Sequence, residues 1–354
     1  MGKGATVDEA IASAAGEFVE RYCAFWQPER ARRASYRSLE ASEETVPDFE
    51  YLAIYDADQL REMRQSPLTR EADIQWVEGR NIRDGSPVAV PAGRVYMASP
   101  DPYFYTTSNG LACERTLAGA VVGGIYESVE RDAIMQSWFR QEPPVRVRLD
   151  GRPDLAERRD AVETADTSVS ILDFESELPF HVVGAFFLDE CAERPKALLA
   201  AGASLDFATA VEDALSELSQ GLTVLKEDLA FGGESDAADR APETRFDNVR
   251  HYARPENADA LSILLDGEVA SPEYEPVEFE TDRDELRACL RALEAGEVTP
   301  LAVDVTTKDV RDTGLYVTRV VVPELIPLSR PAVPPRRHPR LSDGGLNDDC
   351  HPIG

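Results

Sequence analysis

A chain of 354 residues with 43% hydrophobic and 29% charged residues has the make-up of an ordinary globular protein, large enough for one sizeable domain or two modest ones. Its formal net charge of −29 leaves no positive field to gather phosphates, which disfavours broad nucleic-acid binding. The longest apolar runs, such as Val182 to Leu188, are far too short to span a bilayer, so no membrane partner is expected.

The chain opens on a helix signal. Thr6 and Glu9 form a T-x-x-E capping box, and Ile11, Ala15, Phe18, Tyr22 and Phe25 recur at helical spacing to make one apolar face that should end before Pro28. Strand-like segments follow near Gln75 to Val77 and at Val88 to Met97, with turn residues around Gly85 and Pro91. A second long helix is predicted from about Thr116 to Arg140. Val145 to Leu149, Ser168 to Leu172 and His181 to Leu188 read as strands, Phe207 to Leu222 as a third helix, and Gly232 to Glu243 as a polar loop. Asp282 to Leu293 carries another helix signal. Leu301 to Thr306 and Leu315 to Val322 read as buried strands, and from Pro323 onward proline predicts an extended, irregular tail. The pattern is mixed α and β without strict alternation, an α+β fold.

Positive charge is almost all arginine, since lysine occurs only at Lys3, Lys196, Lys226 and Lys308. An acidic, lysine-poor surface fits a protein kept soluble in high salt, where screening weakens self-repulsion, and points to a halophile. The five cysteines are scattered and none forms a C-x-x-C pair, so neither a zinc site nor a thioredoxin-type motif is suggested. Their odd number and the lack of a charged-then-apolar start argue against secretion and for a cytoplasmic protein.

The most informative feature is an internal repeat. Glu17-Phe-Val-Glu20-Arg21 recurs as Glu127-Ser-Val-Glu130-Arg131, each time on a predicted long helix. Side chains three apart share a helix face, so each pair of glutamates sits side by side and repels unless a cation intervenes. Two such helices facing each other would gather four carboxylates, an oxygen-rich site suited to magnesium with a phosphate chain. The arginines could meet phosphate oxygens with their planar fork. In a chain with 66 acidic residues, however, E-x-x-E also arises by chance on solvated faces, and the repeat alone leaves both readings open. There is no Walker-type G-x-x-x-x-G-K-[ST], no kinase glycine loop and no G-x-S-x-G elbow. The four histidines, His181, His251, His338 and His351, show no ligand spacing.

At these residues the chain resembles the YcaO family, whose ATP site is built from glutamates on helices. Gly2 to Phe25 (GKGATVDEAIASAAGEFVERYCAF) is similar to the family's first ATP-site motif, with Ser13, Glu17, Glu20 and Arg21 at matching positions. Ser108 to Phe139 is similar to the second, with Asn109, Glu127, Glu130 and Arg131 matching. Weaker echoes follow in the family's order at Glu217 and Gln220, at Arg245 to Ala253, at Leu301 to Val310, and at Gly314 to Leu325, which offers Arg319 as a phosphate contact. The resemblance implies a YcaO-like catalytic domain over residues 1–326 and a tail over 327–354. It implies magnesium held by Glu17, Glu20, Glu127 and Glu130, ATP phosphates met by Arg21, Arg131 and Arg319, and supporting contacts from Ser13, Asn109 and Gln220. No residue is assigned to the chemistry itself.

Three departures qualify the match. The family carries a segment before its G-K-G that contributes to the nucleotide pocket; here either the start is misassigned, the chain is a fragment, or another element supplies that wall. Val224 stands where an arginine would follow Gln220, and the ending Asp348 to Gly354 keeps few of the prolines of azoline-forming members. In the family a nucleophile attacks a peptide amide and the amide oxygen takes the γ-phosphoryl group of ATP. A Cys, Ser or Thr side chain then yields an azoline, and external sulfide a thioamide. The expected function is therefore cyclodehydration of a peptide, with an accessory role in protein thiolation or a non-catalytic scaffold as the alternatives. Expected partners are a peptide or protein substrate, a separate protein that presents it, and a second copy in a homodimer.

Overall fold

The computed structural model describes residues 2, 4, 6–191, 194–231, 242, 245–341 and 345–353. Thr6 closes the expected capping box, its Oγ1 accepting from the Glu9 amide at 3.3 Å while Glu9 Oε2 accepts from the Thr6 amide at 3.2 Å. The helix so started is α1 (Val7–Cys23). After it come β1 (Ala31–Ser35), α2 (Tyr36–Ala41), α3 (Ala57–Glu62), β2 (Asp73–Asn81), β3 (Pro87–Pro91), α4 (Ala92–Val95), β4 (Leu111–Glu114) and the long α5 (Leu117–Arg140). The second half adds β5 (Val145–Val147), α6 (Pro153–Asp160), β6 (Thr167–Asp173), β7 (His181–Asp189), β8 (Ala197–Ser204) and α7 (Phe207–Ala230). It closes with α8 (Arg245–Tyr252), β9 (Val269–Ala270), α9 (Asp282–Ala295), β10 (Leu301–Asp304), α10 (Lys308–Arg311) and β11 (Tyr316–Val321).

Two sheets organise these elements. The first runs β1-β2-β10-β11-β4 with β3 also on β2, and every pairing in it is antiparallel. The second runs β8-β7-β6-β5-β9, antiparallel except where β9 joins β5. α5 lies between them. Its Ile125, Val129, Ile134, Met135, Trp138 and Phe139 are at most 1% exposed, and they share one core with Val320 of β11 and with Val182, Phe186 and Leu199 of the second sheet. Each such side chain removed from water contributes roughly 1.5–3 kcal/mol, so α5 is firmly held. The alternate residues of the second sheet, Val183, Ala185, Phe187 and Leu198, pack instead against α7. Among the described residues no helix is long and apolar enough to cross a membrane.

Several expectations change. The apolar face of α1 exists but points outward, with Ile11 62%, Phe18 71% and Phe25 63% exposed; Cys23 and the half-buried Val19 make the inward contact. The strand expected over Val88 to Met97 stops at Pro91, whose fixed φ starts the single turn of α4. α7 continues two turns beyond Leu222 to Ala230. β8, Ala-rich and unread in the sequence, is buried along its whole length. The loop expected over Gly232 to Glu243 lies, apart from Pro242, outside the described residues. The proline-rich tail is irregular but not peripheral, for Ile326, Leu328, Leu341 and Ile353 enter the core around α5.

Candidate nucleotide site

Because α5 is enclosed, its E-x-x-E-R segment is delivered into the interior. Glu130 and Arg131 keep only 6% and 4% of their surface. Arg131 Nη1 lies 3.0 Å from Glu130 Oε1 and Nη2 lies 3.6 Å from Glu127 Oε1. Burial opposes the guanidinium's charge, but Glu130, Glu127 and Glu217 of α7 outweigh it and raise its pKa.

α1 brings the first copy of the repeat alongside β4. Glu20 Oε1 accepts from the Cys113 amide at 3.0 Å, and Glu127 Oε2 accepts from the Gly110 amide at 2.7 Å. Backbone donors therefore fix one carboxylate from each helix on the same short stretch of chain. Burial, and next the charge of Glu127, push the Glu20 carboxyl up to about 8. Glu17 sits further out with Arg21, whose Nη2 is 2.6 Å from its Oε1. Burial works against the charge of Glu17, but the bond to Arg21 prevails and its carboxyl titrates below the ordinary value.

Gly110 is the pivot of this arrangement. Its φ of 80° is a left-handed conformation, and a Cβ there would fall 2.2 Å from the Val320 carbonyl oxygen. Beside it, Asn109 is half-buried and its Oδ1 is enclosed with no hydrogen-bond partner among the described residues. Arg319 on β11 is 4% exposed, donating from Nε to the Arg94 carbonyl at 3.0 Å and from Nη1 to the Thr107 carbonyl at 2.9 Å. Burial pulls its pKa down to about 10, with the charge of Glu127 opposing. Ser13 and Gln220 are half-buried on α1 and α7. Gln220 lines a cavity of about 420 Å³ between those helices, together with Ser216, Ser219, Thr223, Ala10 and Gly4.

The structure thus gathers Glu20, Glu127, Glu130 and Arg131 into one electrostatic group and leaves Glu17 with Arg21 nearer solvent. Among the described residues no three His, Cys, Asp or Glu side chains are already disposed to share one metal ion. Gly110 was not singled out from sequence, although Asn-Gly is a turn signal for positive φ. Glu217 appeared there only as a weak echo, and its influence on Arg131 depends on a long-range approach of α7 to α5.

This arrangement belongs to a solved fold. A heterocyclase in complex with substrate and cofactor superposes with a TM-score of 0.78 at 20% identity over 99% of this chain, which spans only about half, 49%, of that chain. The YcaO of Methanopyrus kandleri bound with AMPPCP and Mg2+ superposes with a TM-score of 0.70 at 26% identity over 92% of this chain and 78% of that one. An uncharacterized protein of Methanothermobacter thermautotrophicus is 28% identical over 341 residues, covering 92% of this chain and 80% of that protein. The fold is the one shared by these solved structures, and the matching family model is one of ATP- and Mg2+-binding proteins. Residues 1–326 match the family model described as YcaO cyclodehydratase, ATP- and Mg2+-binding, and the chain belongs to the YcaO family.

Proposed function

We propose that this chain uses magnesium-bound ATP to activate a peptide backbone amide, with the phosphates received where α1 and α5 bring their glutamates together. The observation that carries this reading is the confrontation of Glu20 with Glu127. Each is pinned by a backbone amide, so neither can swing away, and the charge of one opposes ionisation of the other. A cation between them reverses that penalty, and carboxylate oxygens are the hard donors magnesium takes. The enclosed Asn109 Oδ1 and the Arg131 Nε, both without hydrogen-bond partners among the described residues, fit a site completed by a ligand.

On this reading Glu17, Glu20, Glu127 and Glu130 hold the metal, and Arg21 and Arg131 meet phosphate oxygens. Arg319, tied to two backbone carbonyls near Glu127, serves the phosphate end through its charge. Ser13 and Asn109 add polar contacts, and Gln220 marks a cavity of a size suited to the nucleoside. Magnesium-bound ATP supplies the γ-phosphoryl group that makes an amide oxygen a good leaving group. The protein's own contribution is positioning and charge, both set by the rigidity of α5. The catalytic domain is residues 1–326, the tail packs against it, and a separate protein presents the peptide.

A Cys, Ser or Thr of the peptide acting as nucleophile yields an azoline, whereas external hydrosulfide yields a thioamide. An arginine-lined cavity beside Asn109, for which an intramolecular nucleophile has no use, favours the second outcome. Calorimetric titration of ATP into the full chain in concentrated potassium chloride, with and without magnesium, tests the core claim. Saturable, magnesium-dependent binding that is lost in Glu130→Gln supports it. Binding that survives both Glu130→Gln and Glu20→Gln sinks the glutamate assignment. Peptide binding with no release of phosphate identifies a scaffold instead.

A further inference from the structure

Beside Asn109 lies a cavity of about 50 Å³ walled by β11, α4, the segment before β4 and the start of the tail. It holds roughly three to five times the room that one buried water needs, enough for a small ion and far too little for a nucleotide or peptide. Its polar lining includes Arg94, Arg319, Asn109, Ser128 and Thr107, and among the described residues that line it there is no carboxylate.

That lining is unusual in a chain with 66 acidic residues against 37 basic ones. Arg131, Arg250 and Arg340, by contrast, each lie against a carboxylate. Arg319 finds two backbone carbonyls, and Arg94 finds the Leu52 carbonyl at 3.4 Å and the face of Phe104 at 5.3 Å. Arg94 is half-buried, yet it lies deep enough for burial to lower its pKa, and its charge works against that of Arg319. Glu127 offsets part of the charge of Arg319 from a distance, but neither guanidinium has a carboxylate in hydrogen-bonding reach among the described residues, and two enclosed like charges are costly to hold together. Neutral carbonyls compensate only in part. A small anion between the two guanidinium groups removes both penalties and satisfies the remaining N–H donors.

We propose that this cavity is a binding chamber for a small anion, and that, on the amide-activation reading above, its occupant is hydrosulfide, the external nucleophile of thioamide formation. Asn109 is the shared wall: it lines the chamber, and the Gly110 amide next to it is bonded to Glu127. The nucleophile and the phosphate end of the site are therefore neighbours. The chemistry balances without a further reagent. Hydrosulfide sulfur bonds to the amide carbon, the carbonyl π pair moves to oxygen, and that oxygen takes the γ-phosphoryl group with release of ADP. The C–O bond then breaks, phosphate departs with the amide oxygen, and the sulfhydryl proton passes to phosphate. Amide, hydrosulfide and ATP become thioamide, ADP and phosphate with no redox change.

The test uses the full chain and two probes. Sodium hydrosulfide is titrated calorimetrically under anaerobic conditions, with and without saturating magnesium-AMPPCP, and crystals soaked in bromide are measured at the bromine edge. The expected results are saturable hydrosulfide binding, a bromide peak between Arg94 and Arg319, and affinity weakened about tenfold or more in Arg94→Met. If Arg94→Met does not fold, the bromide map of the unaltered protein decides. A cavity without a bromide peak overturns the chamber. Phosphate binding more tightly than hydrosulfide marks a product-release pocket and overturns the hydrosulfide assignment. Magnesium-AMPPCP binding with an empty chamber defeats this proposal and leaves the nucleotide reading intact, while anion binding without nucleotide binding does the reverse.

Discussion

His338 gives the sharpest stability prediction, because the tail that walls the anion chamber turns on it. The ring is 0% exposed, its centroid 5.7 Å from that of Tyr51, and its Nδ1 accepts from the Arg340 amide at 3.3 Å. An imidazolium has no acceptor nitrogen, so protonation breaks that bond as well as burying a charge. Burial lowers its pKa from the ordinary 6.5 to about 4, with the charges of Arg340 and Arg94 adding to the effect. The folded protein therefore binds this proton less readily than the unfolded chain does. Stability from this group is fully present above 6.5 and is lost as the pH falls toward 4. At pH 5 the unfolded chain is mostly protonated here and the folded chain hardly at all, a difference of about 1.5 pH units at 1.36 kcal/mol each, or about 2 kcal/mol. Urea unfolding of the natural chain and of His338→Gln, each at about pH 8 and about pH 5, isolates the term from all other titrations. The variant should be the less stable at the higher pH, and the gap should shrink by about 2 kcal/mol at the lower. A gap that changes by less than about 0.5 kcal/mol refutes a buried neutral histidine.

Two further predictions concern α5 and its surroundings. Gly124 faces β11 so closely that a Cβ would fall 2.6 Å from Val320 Cγ2 and 2.7 Å from the Gly110 carbonyl, whereas a Cβ at Gly16 of α1 meets nothing within 4 Å. Gly124→Ala should therefore destabilise by about 1–3 kcal/mol and weaken ATP binding through Gly110, while Gly16→Ala should stabilise by roughly 0.5–1 kcal/mol; equal effects in thermal unfolding would contradict the packing. Asp132 is 1% exposed and its Oδ2 lies 3.1 Å from Arg340 Nη1, with further bonds from the Ile326 amide at 2.7 Å and Gln136 at 2.9 Å. Arg340→Met strands that charge and should cost roughly 3–5 kcal/mol, and adding Asp132→Asn should recover most of it, because asparagine keeps an acceptor for Ile326. A double-mutant cycle by chemical unfolding that shows no recovery would falsify the pairing.

How much of this was legible depends on the range of the interactions involved. The capping box at Thr6 and the span of α5 were readable because helix signals act over three or four residues. The carboxylate pairs were readable for the same reason, since E-x-x-E fixes a shared face whatever the fold does. Which way a face points is another matter. Ile11, Phe18 and Phe25 form the stripe that periodicity predicts, yet α1 lies with its polar side toward α5, because Glu20 has an amide of β4 to bind. β8 was missed because alanine carries little strand signal and its alternation vanishes when both faces are covered. The end of β3 was missed because Pro91 and Gly93 act together: Gly93 leaves room for Phe104, whose ring a Cβ would meet at 2.5 Å.

The placement of Arg319 shows why motif and structure are both needed. Sequence alone offers it as one more phosphate ligand on a valine-rich strand. In the fold it stands across from Leu111, one residue from Gly110, so the same guanidinium feels Glu127 on one side and lines the chamber with Arg94 on the other. A residue in that position couples two charges of opposite demand. The carboxylate end requires cations, and the chamber supplies enclosed cations that require an anion. In a chain of net charge −29 the two needs cannot be met by the surface, which repels anions at long range. They are met locally, by setting an arginine pair, with no carboxylate in its lining among the described residues, beside a group of glutamates that outnumbers its own buried cation, Arg131. That separation lets a negatively charged nucleophile and negatively charged phosphates be held side by side, which is the central electrostatic difficulty of transferring a phosphoryl group to an amide under attack.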